Sequence, residues 1–345
     1  MEAKTRRDCL SSHLADERRR TMRFAAMLLL LLGGVAVWRI TSGEWDIPMP
    51  VVARLLSPSL PETLRGSPEA FVVRSVRLPR FLSAVGTGGL LCVAGVVLQG
   101  ILANPLAEPY TLGIAAGAAF GGALGFFLNP GFVLPFAFFG ALSSLWLVSL
   151  IAWKSGGCGG AGLVLSGVIV SAMLSAGVTF LKAVADERLG PIVLWLMGSL
   201  AGAASFSAMA VWAAGLLILG VAWIYGRQLD AVSMGEQRAA LLGVDEKRLR
   251  IVLLYAASLG TALAVSFFGI IGFVGLVVPH LVRLLTGPSH RALLVLSFLA
   301  GGLLLAVADG LAQHMSELPV GVITALIGGP FFCWLLTREK ALGAK

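Results

Sequence analysis

The chain has 345 residues, 57% of them hydrophobic and only 13% charged, with a mean hydropathy of +0.90. Soluble domains carry about 25% charged residues, and a helical bilayer crossing takes about 20 mostly apolar ones, so a soluble globular protein is excluded. The apolar stretches also outrun the roughly ten-residue alternating strands of an outer-membrane barrel.

Residues 1–23 form a basic tail (Lys4, Arg6, Arg7, Arg18, Arg19, Arg20, Arg23) ahead of an apolar run, 24–40. No small-residue cleavage motif follows it, and more spans come after, so it reads as a retained first helix. An outer loop, 41–77, carries Trp45, five prolines and scattered arginines. The remaining spans are expected at 78–103, 109–128, 131–153, 159–181, 205–226, 249–268, 270–286, 291–311 and 318–337, which makes about ten transmembrane helices in an all-α polytopic protein. The apolar stretch 188–202 is too short to cross and reads as a re-entrant or surface-lying outer helix. A single transmembrane domain thus occupies 24–337, with a short tail at 338–345.

An even number of spans puts both termini on one side. With that side cytosolic, Lys and Arg number 18 inside and 8 outside, as the positive-inside rule requires. Six of the outer eight fall between Arg39 and Arg80, against the trend. The net charge of +8 does not point to nucleic acid, because the cations cluster at the ends of apolar runs rather than along one face. Cys9, Cys92, Cys158 and Cys333 are singletons that offer neither a disulfide framework nor a zinc site.

No phosphate loop, HExxH or GxSxG motif occurs, and Asp309 is the one clear acid inside a span. The cytosolic loop 227–248 predicts a short amphipathic helix from Glu236 to Leu242, stopped by Gly243. Gly113, Gly117, Gly121 and Gly125 recur every fourth residue, leaving one helix face bare for close packing or for lining a pathway. Between two spans, Gln99-Gly-Ile-Leu-Ala-Asn104-Pro105-Leu106-Ala-Glu-Pro109 stops both helices with prolines. It reads as a rigid turn or as a constriction at the inner mouth of a pathway.

These residues carry a resemblance. Arg77-Leu-Pro-Arg80, Gln99-Gly, Asn104-Pro-Leu-Ala-Glu-Pro, Trp195-Leu-Met-Gly198, Met234-Gly-Glu236, the glycine-rich run 269–283, Ala308-Asp309 and the stretch from Glu317 to Pro330 are similar to the FecCD-type permeases. Those are the membrane subunits of type II ABC importers for iron-siderophores, haem and cobalamin. The resemblance implies the type II importer permease fold in a prokaryotic inner membrane, as a homodimer with the pathway on its two-fold axis. It also implies two cytosolic ATPase subunits, which would hold ATP and Mg while this chain binds no cofactor. A periplasmic or lipid-anchored solute-binding protein is implied on the outer side.

Residue by residue, the resemblance implies coupling to the ATPase through Gly235, Glu236, Arg238, Ala239, Leu242, Gly243, His290 and Arg291. It implies an inner gate or pathway at Gln99, Asn104, Pro105, Leu106, Gly160 and Ala161. Docking of the binding protein falls to Arg77 and Arg80, with Gln313 where many relatives carry arginine. The glycine-rich loop 156–162 departs from the Ser or Thr common in relatives. His280, His290 and His314 are expected to be structural rather than metal ligands. A permease that is not itself an enzyme follows from this. The rival readings are an ion-coupled secondary transporter, which needs several buried ionisable groups, and a membrane enzyme, which needs clustered polar residues.

Overall fold

The computed structural model describes residues 2–43, 45–57, 66–155 and 160–343, with side chains from Arg18 onward except those of residues 236, 335, 336 and 338–343. The basic tail and first span merge into one helix, α1 (Glu2–Thr41). Nine more long helices follow: α2 (Leu78–Ile101), α3 (Ile114–Leu128), α4 (Val133–Lys154), α5 (Gly160–Ala183), α6 (Ser205–Ile224), α7 (Glu246–Phe268), α8 (Val274–Thr286), α9 (His290–His314) and α10 (Val320–Gly343). Seven helical stretches are long and apolar enough to cross a membrane, and α3, α8 and the Val320–Trp334 part of α10 are shorter apolar helices.

α2 is the axis of the fold. Every residue from Ser83 to Ile101 is buried, and α6, α7, α8 and α9 pack around it. Lipid tails are as apolar as leucine, so nothing like the hydrophobic effect in water drives these helices together; close van der Waals approach does. Glycines make that approach possible. A Cβ added at Gly88 would lie 2.2 Å from the Gly301 carbonyl oxygen of α9, and one at Gly95 only 1.9 Å from that of Gly275 in α8.

A second layer forms where α3 packs on α4 and α5. Cβ atoms at Gly117 and Gly121 would meet the carbonyl oxygens of Gly140 and Phe136 at 2.4 and 2.0 Å, and one at Gly125 would meet Val133 Cα at 2.8 Å. These three glycines therefore form the bare face against which α4 lies. Gly113 is different: it precedes the helix, with φ of 78°.

The span 109–128 is helical only from Ile114, because Pro105 and Pro109 stop the chain from winding and residues 102–113 run as irregular backbone. The span 270–286 begins its helix at Val274, after Gly269 (φ 71°) and Phe273 (φ 67°). The stretch 188–202 is helical over Leu189–Leu196, followed by irregular backbone to Ala204. The outer loop 41–77 is largely helical: Met49–Leu56, Pro68–Phe71 and a π-helical stretch Val72–Arg77 that runs straight into α2. Cys92 is buried, Cys333 is exposed, and both are free; Cys158 lies outside the described residues.

A Gly95→Val substitution should cost at least about 1–3 kcal/mol, the range of an overpacked core, and lower the detergent unfolding temperature. Gly220→Ala, where an added Cβ meets nothing within 4 Å, should leave it unchanged or slightly raised.

Candidate functional site

The loop 227–248 folds as two short helices, Gly226–Ser233 and Glu236–Leu241. Gly235 (φ 107°) makes the turn between them, and Gly243 (φ 73°) ends the second; both are conformations that L side chains resist. The second helix is anchored by Ala239, which is buried while its carbonyl oxygen accepts from the Val244 N–H at 3.1 Å. Its outward surface is apolar. Leu241 is 88% exposed and Leu242 68%, with Arg238 exposed beside them. The Glu236 side chain lies outside the described set.

His290 and Arg291 stand behind this surface rather than on it. His290 is 4% exposed. Its backbone N–H and its ring Nδ1 both reach Asp230 Oδ1, at 2.9 and 2.7 Å. A carboxylate only accepts, so the ring proton sits on Nδ1. Burial opposes the charge on Asp230, but the His290 hydrogen bonds outweigh it and hold the carboxyl below its ordinary range. The Arg291 guanidinium lies 4.4 Å over the Trp223 ring and donates to the Trp223 carbonyl oxygen. His290 thus ties the Gly226–Ser233 helix to α9 through Asp230, and Arg291 ties α6 to α9 through Trp223. Burial removes His290 from any surface a partner could touch and makes it a positioning residue.

The residues expected at an inner gate gather at the end of α2. Gln99 is buried, with its oxygen accepting from Arg283 at 3.1 Å and its amide reaching the Leu276 carbonyl oxygen at 3.5 Å. Asn104 Oδ1 accepts from the Leu106 N–H at 2.9 Å, closing a side-chain turn that leaves Pro105 and Leu106 exposed. Gly160 abuts this turn, since a Cβ there would lie 2.7 Å from the Leu102 carbonyl oxygen, and Ala161 next to it is exposed. Residues 156–159 of the glycine-rich loop lie outside the described residues.

One residue that sequence reasoning passed over, Tyr110, stitches this turn to the break between α7 and α8. The Tyr110 hydroxyl donates to the Ile271 carbonyl oxygen at 3.0 Å and accepts from the Ile271 N–H at 3.2 Å. Nothing in the local sequence pairs these segments, which lie about 160 positions apart.

At the opposite end, the arginines expected to face a docking partner turn inward. Arg77, 8% exposed, donates to the carbonyl oxygens of Ile40, Thr41 and Trp45, the open end of α1. Arg74 does the same for the Met49–Leu56 helix, donating to the carbonyl oxygens of Leu55 and Ser57 at 2.7 and 3.2 Å. Arg80, 5% exposed, lies between Asp309 (Nε–Oδ2 2.9 Å) and Glu317 (Nη2–Oε2 2.9 Å). Arg39 completes the cluster at 2.5 Å from Asp309 Oδ2 and also donates to Gln313. Arg77, Arg80 and Gln313 are therefore internal in this conformation, because unmet carbonyls and a buried carboxylate claim them. Arg54 is exposed at this end and Glu317 is 45% exposed. Among the described residues no group of three His, Cys, Asp or Glu could hold a metal ion.

A buried axial helix, spans interrupted by irregular backbone and a surface helix with exposed leucines describe a multi-pass membrane protein. The sequence model of the FecCD transport family matches residues 27–338, and the chain belongs to that family. It is 42% identical to the cobalamin import system permease protein BtuC of Halobacterium salinarum, over 81% of this chain and 77% of that one. It is 41% identical to the hemin transport system permease protein HmuU of Yersinia pestis, over 77% and 83%. A solved structure described as an inward-facing conformation of a putative metal-chelate type ABC transporter superposes with a TM-score of 0.80 at 33% identity, covering 92% of this chain and 99% of that one.

Asp309→Asn should leave two buried guanidinium groups undercompensated. A loss of about 3–5 kcal/mol is expected, read as a drop in unfolding temperature in detergent. Because the folded Asp230 carboxyl is held below its free value, its stabilising contribution is present at neutral pH and disappears as pH falls through and below about 4. Unfolding temperature measured across that window should fall more for the native chain than for Asp230→Asn.

Proposed function

We infer that this chain is the permease subunit of an ATP-binding-cassette importer that moves an iron chelate, haem or a cobalamin-like solute across the inner membrane of a bacterium or archaeon. A homodimer would place the pathway on its two-fold axis, and two cytosolic ATPase subunits, holding ATP and Mg, would drive it from the inner side. A periplasmic or lipid-anchored binding protein would deliver the solute to the outer face. There the exposed Arg54 and half-exposed Glu317 offer charges for transient docking, in place of the internal Arg77, Arg80 and Gln313. Exposed pairs contribute only about 0–1 kcal/mol each, which suits a partner that leaves after every delivery.

The observation that carries this reading is the apolar end of the Glu236–Leu241 helix. A leucine 88% exposed at the tip of a membrane protein's soluble loop is a contact awaiting a partner, since buried apolar anchors dominate interface energies. Ala239 seats that helix against its neighbours, so a push on Leu241 and Leu242 would reach α9 by way of the preceding helix and its His290–Asp230 contact.

The rival, an ion-coupled transporter working alone, loses Asp309 as its carrier. Among the described residues the one buried acid is Asp309, and two arginines already occupy it.

With the ATPase and binding protein reconstituted in vesicles, a Leu241→Ser, Leu242→Ser double variant should still insert and dimerise. Its ATP-dependent uptake should fall by at least tenfold, because losing two interface anchors of about 2 kcal/mol each weakens coupling that far. Uptake equal to the native chain, or solute flux with the ATPase omitted, would overturn the assignment.

A further inference from the structure

A groove opens between the inner ends of α4 and α7. Trp146, Leu150 and Trp153 form one wall, and Arg250, Ile251 and Tyr255 form the other. Its floor is made by Leu163 of α5 and Leu254 of α7, both buried in the core. The walls stay open: Trp146 is 62% exposed and Trp153 69%. An indole keeps its ring among acyl chains and turns its N–H toward ester and phosphate oxygens, which is why tryptophan collects at the level of lipid headgroups.

Depth and charge identify the occupant. Trp146 lies eight residues before Lys154, the end of α4, so the groove reaches about 12 Å into the span, too deep for a soluble partner. Its mouth is cationic. Lys154, Lys247 and Arg248 are exposed there, and Lys247 shares the α7 stripe of Ile251 and Leu254. Two acids stand on the same turn of α7, and both are engaged. Asp245 caps the helix by accepting from the Arg248 N–H at 3.1 Å, and Glu246 pairs with Arg250. Cations therefore outnumber acids at the mouth. A second copy docked here about a two-fold axis would set those cations against their own images, whereas an anionic headgroup neutralises them.

We propose that the α4–α7 groove seats one anionic phospholipid of the cytosolic leaflet, with an acyl chain on Leu163 and Leu254 and the phosphate held by Lys154 and Lys247. Leu163 follows Gly160 by one turn, and Gly160 abuts the Leu102 carbonyl oxygen. A seated lipid thus braces the start of α5 where it meets the irregular backbone at 102–113. The test places the full-length chain in phosphatidylcholine vesicles doped with phosphatidylglycerol that carries a photoreactive diazirine midway along one acyl chain. Crosslinked peptides are mapped by mass spectrometry.

Labelling should concentrate on residues 146–153 and 250–255 over α6 around its exposed Leu216 and Leu217, and excess phosphatidylglycerol should remove it where excess phosphatidylcholine does not. Lys154→Gln and Lys247→Gln should each weaken that competition about fivefold, the factor for one cation near an anionic surface. Ile251→Trp should block labelling in the groove and spare it on α6; should that variant fail to insert, the competition on the native chain decides alone. Equal labelling of α6 would overturn the proposal. So would equal competition by phosphatidylcholine, competition untouched by both lysine substitutions, or crosslinks joining two copies through α4 and α7.

Discussion

Backbone contact around one buried helix is the constraint from which the other features follow. In hydrocarbon, helices gain little by hiding leucine from lipid, so their association rests on how closely they meet. α2 meets α8 and α9 at glycines facing backbone carbonyls, at separations no side chain permits. An axis packed this tightly responds as a unit. Gln99 and the Asn104 turn sit at its inner end, and Arg80 sits at its outer end. Any displacement of α8 or α9 is therefore felt at both mouths of the bundle.

The outer arginines show how a bilayer protein uses charge where the positive-inside rule disfavours it. Of the six between Arg39 and Arg80, Arg74 and Arg77 close the exposed carbonyl ends of helices, while Arg39 and Arg80 neutralise Asp309. A helix end at low dielectric leaves acceptors that water cannot reach, and a guanidinium with five fixed donors satisfies several at once. Gln313 joins the same cluster through Arg39. The cation beside Gln313 comes from α1, and the cluster ties the first span to the core.

Much of the fold was legible because length and apolar content fix where a helix can cross. α4, α5, α6 and α9 lie within three residues of their expected bounds. The breaks at 102–113 and 269–273 were harder to see: their residues are as apolar as those of a helix, and only prolines and glycines mark them. The surface helix and its stop at Gly243 were readable from local signals, since capping chemistry acts within a turn or two. Roles that depend on distant partners were not. Arg77 and Arg80 look like exposed charges until Thr41 and Asp309 come alongside, and Asp230 gave no sign that it would hold His290 across 60 residues.

The inner surface converts this rigidity into direction. On the proposed coupling, force on Leu241 and Leu242 would pass from the Glu236–Leu241 helix, seated by Ala239, to the helix before it, which Asp230 ties to α9. Gly100 of α2 lies against His290, where an added Cβ would come within 3.1 Å of the ring Nε2, and Arg283 of α8 reaches Gln99 one residue earlier. Surface helix, α9, α2 and α8 therefore form a closed loop of contacts at one level. Beside that loop the irregular backbone at 102–113 is the softest segment, because it has no helix ladder of its own and is tied by the Tyr110 hydroxyl to Ile271, just ahead of α8. On the proposed coupling, strain introduced at the leucines would be taken up at that segment, the turn that carries Asn104 and Leu106.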